Sequence, residues 1–138
     1  MTATSRGLAE RQAELVAALV AGAPIPEGFD APRIEATRRS LLRKRAIEAA
    51  KAWPLLAASF GEGWPATFVR LREGNPPVGA LRDGWDVARA IRDSTGLSPA
   101  AAGELALWEA RLRYDGTGDP RRRRLVGLRI ALRGLRRR

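Results

Sequence analysis

The sequence predicts an all-α fold, a small bundle of about six helices followed by a basic C-terminal tail. Three observations carry this. Apolar residues recur at three- and four-residue intervals through most of the chain. Glycine and proline divide it into helix-length pieces. No segment before the last eighteen residues reads clearly as a strand. At 138 residues the chain fits one compact body, with residues 1–115 as a helical domain and 116–138 as a loop and Arg-rich tail.

Leu8, Gln12, Leu15, Val16, Leu19 and Val20 trace an amphipathic first helix that Gly22 is placed to end. Pro24 and Pro26 keep the next segment extended. Asp30 reads as the N-cap of a second helix, with Phe29 and Ile34 as a hydrophobic staple and Pro32 tolerated in the first turn. That helix should run to about Ala52, because Pro54 disfavours helical geometry at Trp53. A short helix from Pro54 to Phe60 stops at Gly61, and another from Pro65 to Glu73 stops at Gly74. Leu81, Trp85, Val87, Ala88 and Ile91 outline a fifth, ending near Gly96. Ser98 as N-cap and Pro99 at the first helical position start a sixth, with Leu105, Trp108 and Leu112 facing inward. Residues Asp115 to Pro120 form a loop. Trp53-Pro54 and Trp64-Pro65 are eleven residues apart, too close for a solenoid repeat, and read as two helix starts with a tryptophan wedged beneath each.

Composition excludes much chemistry. There is no histidine and no cysteine, which removes Ser–His–Asp and Cys–His arrangements, thiolate zinc sites and disulfides. No Asp/Glu cluster has a metal-site spacing, so an enzyme is disfavoured and no cofactor is expected. No apolar run approaches bilayer length, and Glu10 and Glu14 stand where a signal peptide would be apolar. The cytoplasm is the default compartment, and no membrane partner is expected. Gly116 and Gly118 lack the Lys-Ser/Thr of a phosphate loop.

The charge is unevenly placed. The chain carries +10, yet residues 121–138 hold nine arginines and no acid, leaving the first 120 residues at +1. Arginine outnumbers lysine 23 to 2, a bias that a GC-rich genome produces without selection for guanidinium chemistry.

Two features are candidates for function. On the second helix, Arg38 and Arg45 fall on the apolar face with Ile34, Leu41, Leu42 and Ala49. Either they snorkel to solvent, or one is buried against an acid such as Asp83, Asp86 or Glu104, or they recognise an anion. Arg45 is the stronger candidate in both non-solvated cases. In the tail, Val126, Leu128, Ile130 and Leu132 alternate with Gly127, Arg129, Ala131 and Arg133, as in a single strand with one buried face. Leu125, Leu128, Leu132 and Leu135 also fit a helical seam. Gly127 and Gly134 favour the strand. Such a strand would lack a ladder partner in its own chain and could pair with another protein. A loosely packed tail and nonspecific nucleic-acid contact are the alternatives. Arg38, Arg45, Val126, Leu128, Arg129, Ile130, Leu132 and Arg133 are therefore the candidate partner-binding residues.

The run Leu15-Val16-Ala17-Ala18-Leu19-Val20, the link Pro24-x-Pro26-x-Gly28-Phe29-Asp30, and Leu41-Leu42-x-Lys44-Arg45-Ala46 continue through Trp53-Pro54 to Phe60-Gly61. This stretch resembles the helical domain C-terminal to the barrel in some actinobacterial multinuclear non-haem iron-dependent oxidases. The resemblance implies the accessory part alone, because the barrel and its histidines are missing and no catalytic residue carries over. It implies a non-catalytic partner protein that docks on a separate oxidase and helps present a ribosomally made precursor peptide. The competing expectation is a small nucleic-acid-binding protein using the second helix and the Arg-rich tail. A small carboxylate enzyme is a weaker third.

Overall fold

The computed structural model describes residues 3–124, and tail positions Val126, Leu128, Arg129, Ile130, Leu132 and Arg133 lie outside that range. It is mainly all-α: α1 Ala3–Val20, α2 Ala31–Ala52, α3 Pro54–Phe60, a 3-10 turn Gly61–Gly63, α4 Trp64–Arg72, α5 Ala80–Ser94 and α6 Pro99–Arg111. No helix among the described residues is long and apolar enough to cross a membrane.

Helix α2 is the spine, packing against α1, α3, α4 and α5. Its inner face is lined by Ala46 and Ala49, both fully buried, and these small side chains leave room for bulky rings from neighbouring helices. Trp53 and Trp64 begin the next two helices from beneath, as their Trp-Pro pairs predict, and both are buried. Each indole N–H is satisfied, Trp53 donating to the Leu81 carbonyl at 2.9 Å and Trp64 to that of Ala46 at 2.8 Å. Trp53 meets Trp85 edge to face, with centroids 5.8 Å apart at 66°.

The ends of α5 and α6 follow the sequence signals. The Gly96 N–H returns to the Ile91 carbonyl at 2.8 Å, with Gly96 at φ +86°, as a left-handed helix stop requires. Ser98 caps α6 by accepting from the Ala101 N–H. Elsewhere the structure corrects the expectation. Asp30 occupies the N-cap position of α2 but makes no side-chain capping bond. Leu8 and Val16 are 63% and 56% exposed, while Ala18 is the fully buried residue among the described side chains of α1, because α1 rests chiefly on α2 and shows it a narrow stripe.

Helix α3 has only seven residues and is stabilised from outside. Pro54 at its first position has no N–H, so Leu55 and Leu56 carry the first orphan donors. Glu104 of α6, buried, accepts from both, at 3.1 and 2.7 Å. Glu104 is thus not a partner of Arg38 or Arg45; it caps a helix. Charge-assisted bonds of this kind are worth about 1.5–3 kcal/mol each. Glu104→Ala should cost about 2–3 kcal/mol in urea unfolding, with Glu104→Gln losing less because one acceptor oxygen remains.

A two-residue ladder closes the described chain. β1 (Leu112–Arg113) pairs antiparallel with β2 (Arg121–Arg122), in the register Leu112 to Arg122 and Arg113 to Arg121. The Asp115–Pro120 loop is its turn, so the start of the arginine run is tied to the end of α6. Two paired residues carry no alternation for a sequence pattern to register.

Candidate partner interface

Both arginines on the apolar face of α2 bind groups of their own chain. Arg38, 16% exposed, donates from Nε to the Ala18 carbonyl at 2.8 Å, from Nη2 to that of Ala23 at 3.1 Å, and from Nη1 to Glu35 at 2.7 Å. The Ala18 carbonyl belongs to the last turn of α1, where no backbone donor is available within the helix. Arg38 therefore caps α1 and docks it on α2.

Arg45, 14% exposed, meets the nearly buried Asp83. Its Nη2 and Nε approach the two carboxylate oxygens at 2.8 and 3.2 Å, the two-pronged geometry to which guanidinium is suited. It also donates to the Asn75 and Pro76 carbonyls, fixing the connector after α4. Of the three readings of the α2 arginines, the buried pair describes Arg45. Arg72 at the end of α4 adds a second cation, with Nε 3.2 Å from Asp83 and Nη1 3.3 Å from Asp86.

The network reaches the hairpin through Tyr114, which composition and spacing did not single out. Its hydroxyl donates to Asp86 at 2.8 Å, its carbonyl accepts from Arg89, and its ring lies 5.2 Å from Trp85. The guanidinium groups of Arg82 and Arg89 sit 5.7 and 5.2 Å from the ring centroid, within cation–π range. Burial raises the phenol pKa; the Arg82 side chain opposes this and hydrogen bonding to Asp86 adds to it. A raised folded-state pKa holds the phenol protonated. The associated stability is full below about pH 10, the ordinary tyrosine value, and is lost as pH rises through the folded value. Tyr114 is the chain's single tyrosine, so the rise in absorbance near 295 nm on phenol ionisation, above the background of the four tryptophans, reads it alone. Its midpoint should lie above that of the urea-unfolded chain; equal midpoints would contradict its burial.

Around this anchor the hairpin displays unneutralised charge. Arg113, Arg121, Arg122, Arg123 and Arg124 line a groove of about 460 Å³. Arg123 is partly spent, its Nε donating to the Glu109 and Leu112 carbonyls at the end of α6. Within the described residues, Arg113, Arg121, Arg122 and Arg124 have no ion pair. The nearby acids are engaged elsewhere. Glu109 faces Arg89 and Arg92, Asp119 faces Arg82, and Asp115 accepts from the Thr117 N–H and hydroxyl, which lower its pKa. No group of three or more acidic side chains among the described residues could hold a metal ion.

Residues 9–93 match the family described as SCO6045-like, C-terminal domain. The chain belongs to that family. The SCO6045-like span takes in most of α1 through nearly all of α5, and with it Arg38, Arg45, Arg72, Asp83 and Asp86. The Tyr114 anchor and the arginine hairpin lie beyond it. The chain is also 43% identical over 85 residues to a UPF0276 protein of Streptomyces avermitilis, an alignment covering 61% of this chain and 18% of that protein. No solved structure matches the chain.

Proposed function

We propose that this SCO6045-like domain is a non-catalytic accessory module that docks on a multinuclear iron-dependent oxidase and helps present a precursor peptide to it. The observation that carries the reading is the proportion of the match. The region shared with the Streptomyces protein is under a fifth of that protein, so there the unit accompanies a much larger body. The oxidases that the first half of the chain resembles hold iron through histidines and carboxylates. This chain has no histidine, and its described carboxylates form no cluster able to hold a metal. Its residues do not fit an iron centre, and the reaction is assigned to the partner.

Several described polar groups serve the fold itself. Arg38 caps α1, Arg45 and Arg72 hold Asp83, and Glu104 caps α3. The arginines of the hairpin lie on the surface without ion-pair partners within the described residues, as an association surface requires. The test is co-purification of the chain with the oxidase encoded nearest to it, followed by calorimetric titration of the complex with the neighbouring precursor peptide. A stable complex that takes up the peptide more tightly than the oxidase alone supports the reading. Failure to form a complex, or turnover by the purified chain itself, overturns it.

A further inference from the structure

We infer that the β1–β2 hairpin is a carboxylate-binding site, built to receive an acidic segment of a protein partner between Arg113 and Arg121. The two arginines are directly opposed across the antiparallel ladder. Opposed residues in such a ladder have Cα atoms about 4.5–5.5 Å apart and share a face. Like charges so placed destabilise the pair; the long side chains can turn apart, but their attachment points cannot separate while the backbone is held. Here the backbone is fixed. Tyr114 is seated against Trp85 and Asp86, the Arg123 N–H donates to the Arg111 carbonyl at 3.1 Å, and Arg123 Nε grips the end of α6. The hairpin thus holds the Cα atoms of two arginines opposite one another, with no acid within ion-pair distance of either side chain among the described residues. A carboxylate bridging them converts the repulsion into two charge-assisted contacts. Arg124 also lines the groove, whereas Arg122 stands opposite Leu112 on the ladder's other face.

An acidic protein segment fits better than nucleic acid. The hairpin's one aromatic residue, Tyr114, is buried, so the hairpin offers no platform on which bases could stack. The inference deepens the docking proposal and rests on it for the identity of the partner, though not for the carboxylate site itself.

The experiment uses the full chain and a fluorescein-labelled twelve-residue peptide of alternating glutamate and leucine, read by anisotropy at about 150 mM salt, with a duplex DNA of random sequence and inorganic phosphate as competitors. Arg113→Gln/Arg121→Gln is compared with Arg136→Gln/Arg137→Gln, which removes the same charge farther along the arginine run. The hairpin pair should weaken peptide binding about tenfold or more, and the distal pair about twofold. Equal losses from both pairs would mean diffuse attraction and would overturn the site. So would duplex DNA binding more tightly than the peptide, with a log–log salt slope near −6 if about seven arginines met phosphates. Should the peptide bind as expected while no oxidase co-purifies, the docking proposal fails and the hairpin site stands. If the oxidase co-purifies equally well with both double variants, the hairpin is not the docking contact.

Discussion

Asp83→Ala is expected to destabilise the domain by about 3–5 kcal/mol, the range for removing one member of a buried ion pair. Asp83 is 2% exposed and is the point where Arg45 and Arg72 converge. Its removal leaves two nearly enclosed guanidinium groups. Arg72 still has Asp86, and Arg45 still has two backbone carbonyls, which places the loss towards the lower end. For a domain of this size the change corresponds to a fall in melting temperature of roughly 10 °C or more. Arg45→Ala should cost less, because Asp83 keeps Arg72. The double replacement Arg45→Met/Asp83→Leu should recover much of the loss, since well-packed apolar residues often substitute for a buried pair without penalty. An Asp83→Ala protein melting within a few degrees of the parent would show that the pair contributes little to holding α2, α4 and α5 together.

Gly84→Ala carries the second large effect, and its sign opposes helix propensity. In the middle of α5, alanine should gain about 1 kcal/mol over glycine. A Cβ at Gly84 would instead lie 2.1 Å from Cδ1 of Trp53 and 2.5 Å from its Nε1. The indole cannot yield, being fully buried, bonded to the Leu81 carbonyl and packed against Trp85 and Trp108. Overpacking costs about 1–3 kcal/mol and occasionally more, and an overlap this deep belongs at the top of that range. Net destabilisation of about 2–3 kcal/mol is expected in denaturant titration. Adding Trp53→Phe should show strong coupling with Gly84→Ala, because the smaller ring vacates the space. A Gly84→Ala protein more stable than the parent would overturn the assignment of this glycine to close packing.

What was legible in the sequence was local. Pro54, Gly61, Gly96 and Ser98-Pro99 each act within one turn of their own position, and the helices begin or stop where those residues dictate. Arg45 was legible as an alternative, because a guanidinium on an apolar face demands an acid and Asp83 was among the few available. The rest depends on residues far apart in the chain. Glu104 serves a helix that begins fifty residues earlier, and neither residue's own neighbourhood hints at it. Gly84 reads as a weak point of α5 until the Trp53 ring is placed beside it. The exposure of Leu8 and Val16 follows from how little of α1 is covered, which its periodicity does not encode. The hairpin arginines were visible only as excess charge; their opposition across a ladder needed the register.

Arg38 and Arg45 share a role that bears on the chain's composition. Arg38 spreads its fork of donors over the Ala18 and Ala23 carbonyls and Glu35, while Arg45 spans a carboxylate and two carbonyls. An ammonium group concentrates its donors at a single point and could not reach separated acceptors in this way. Codon bias alone therefore does not account for these positions: exchanging arginine for lysine, harmless over much of the surface, would here unfasten one structural element from the next.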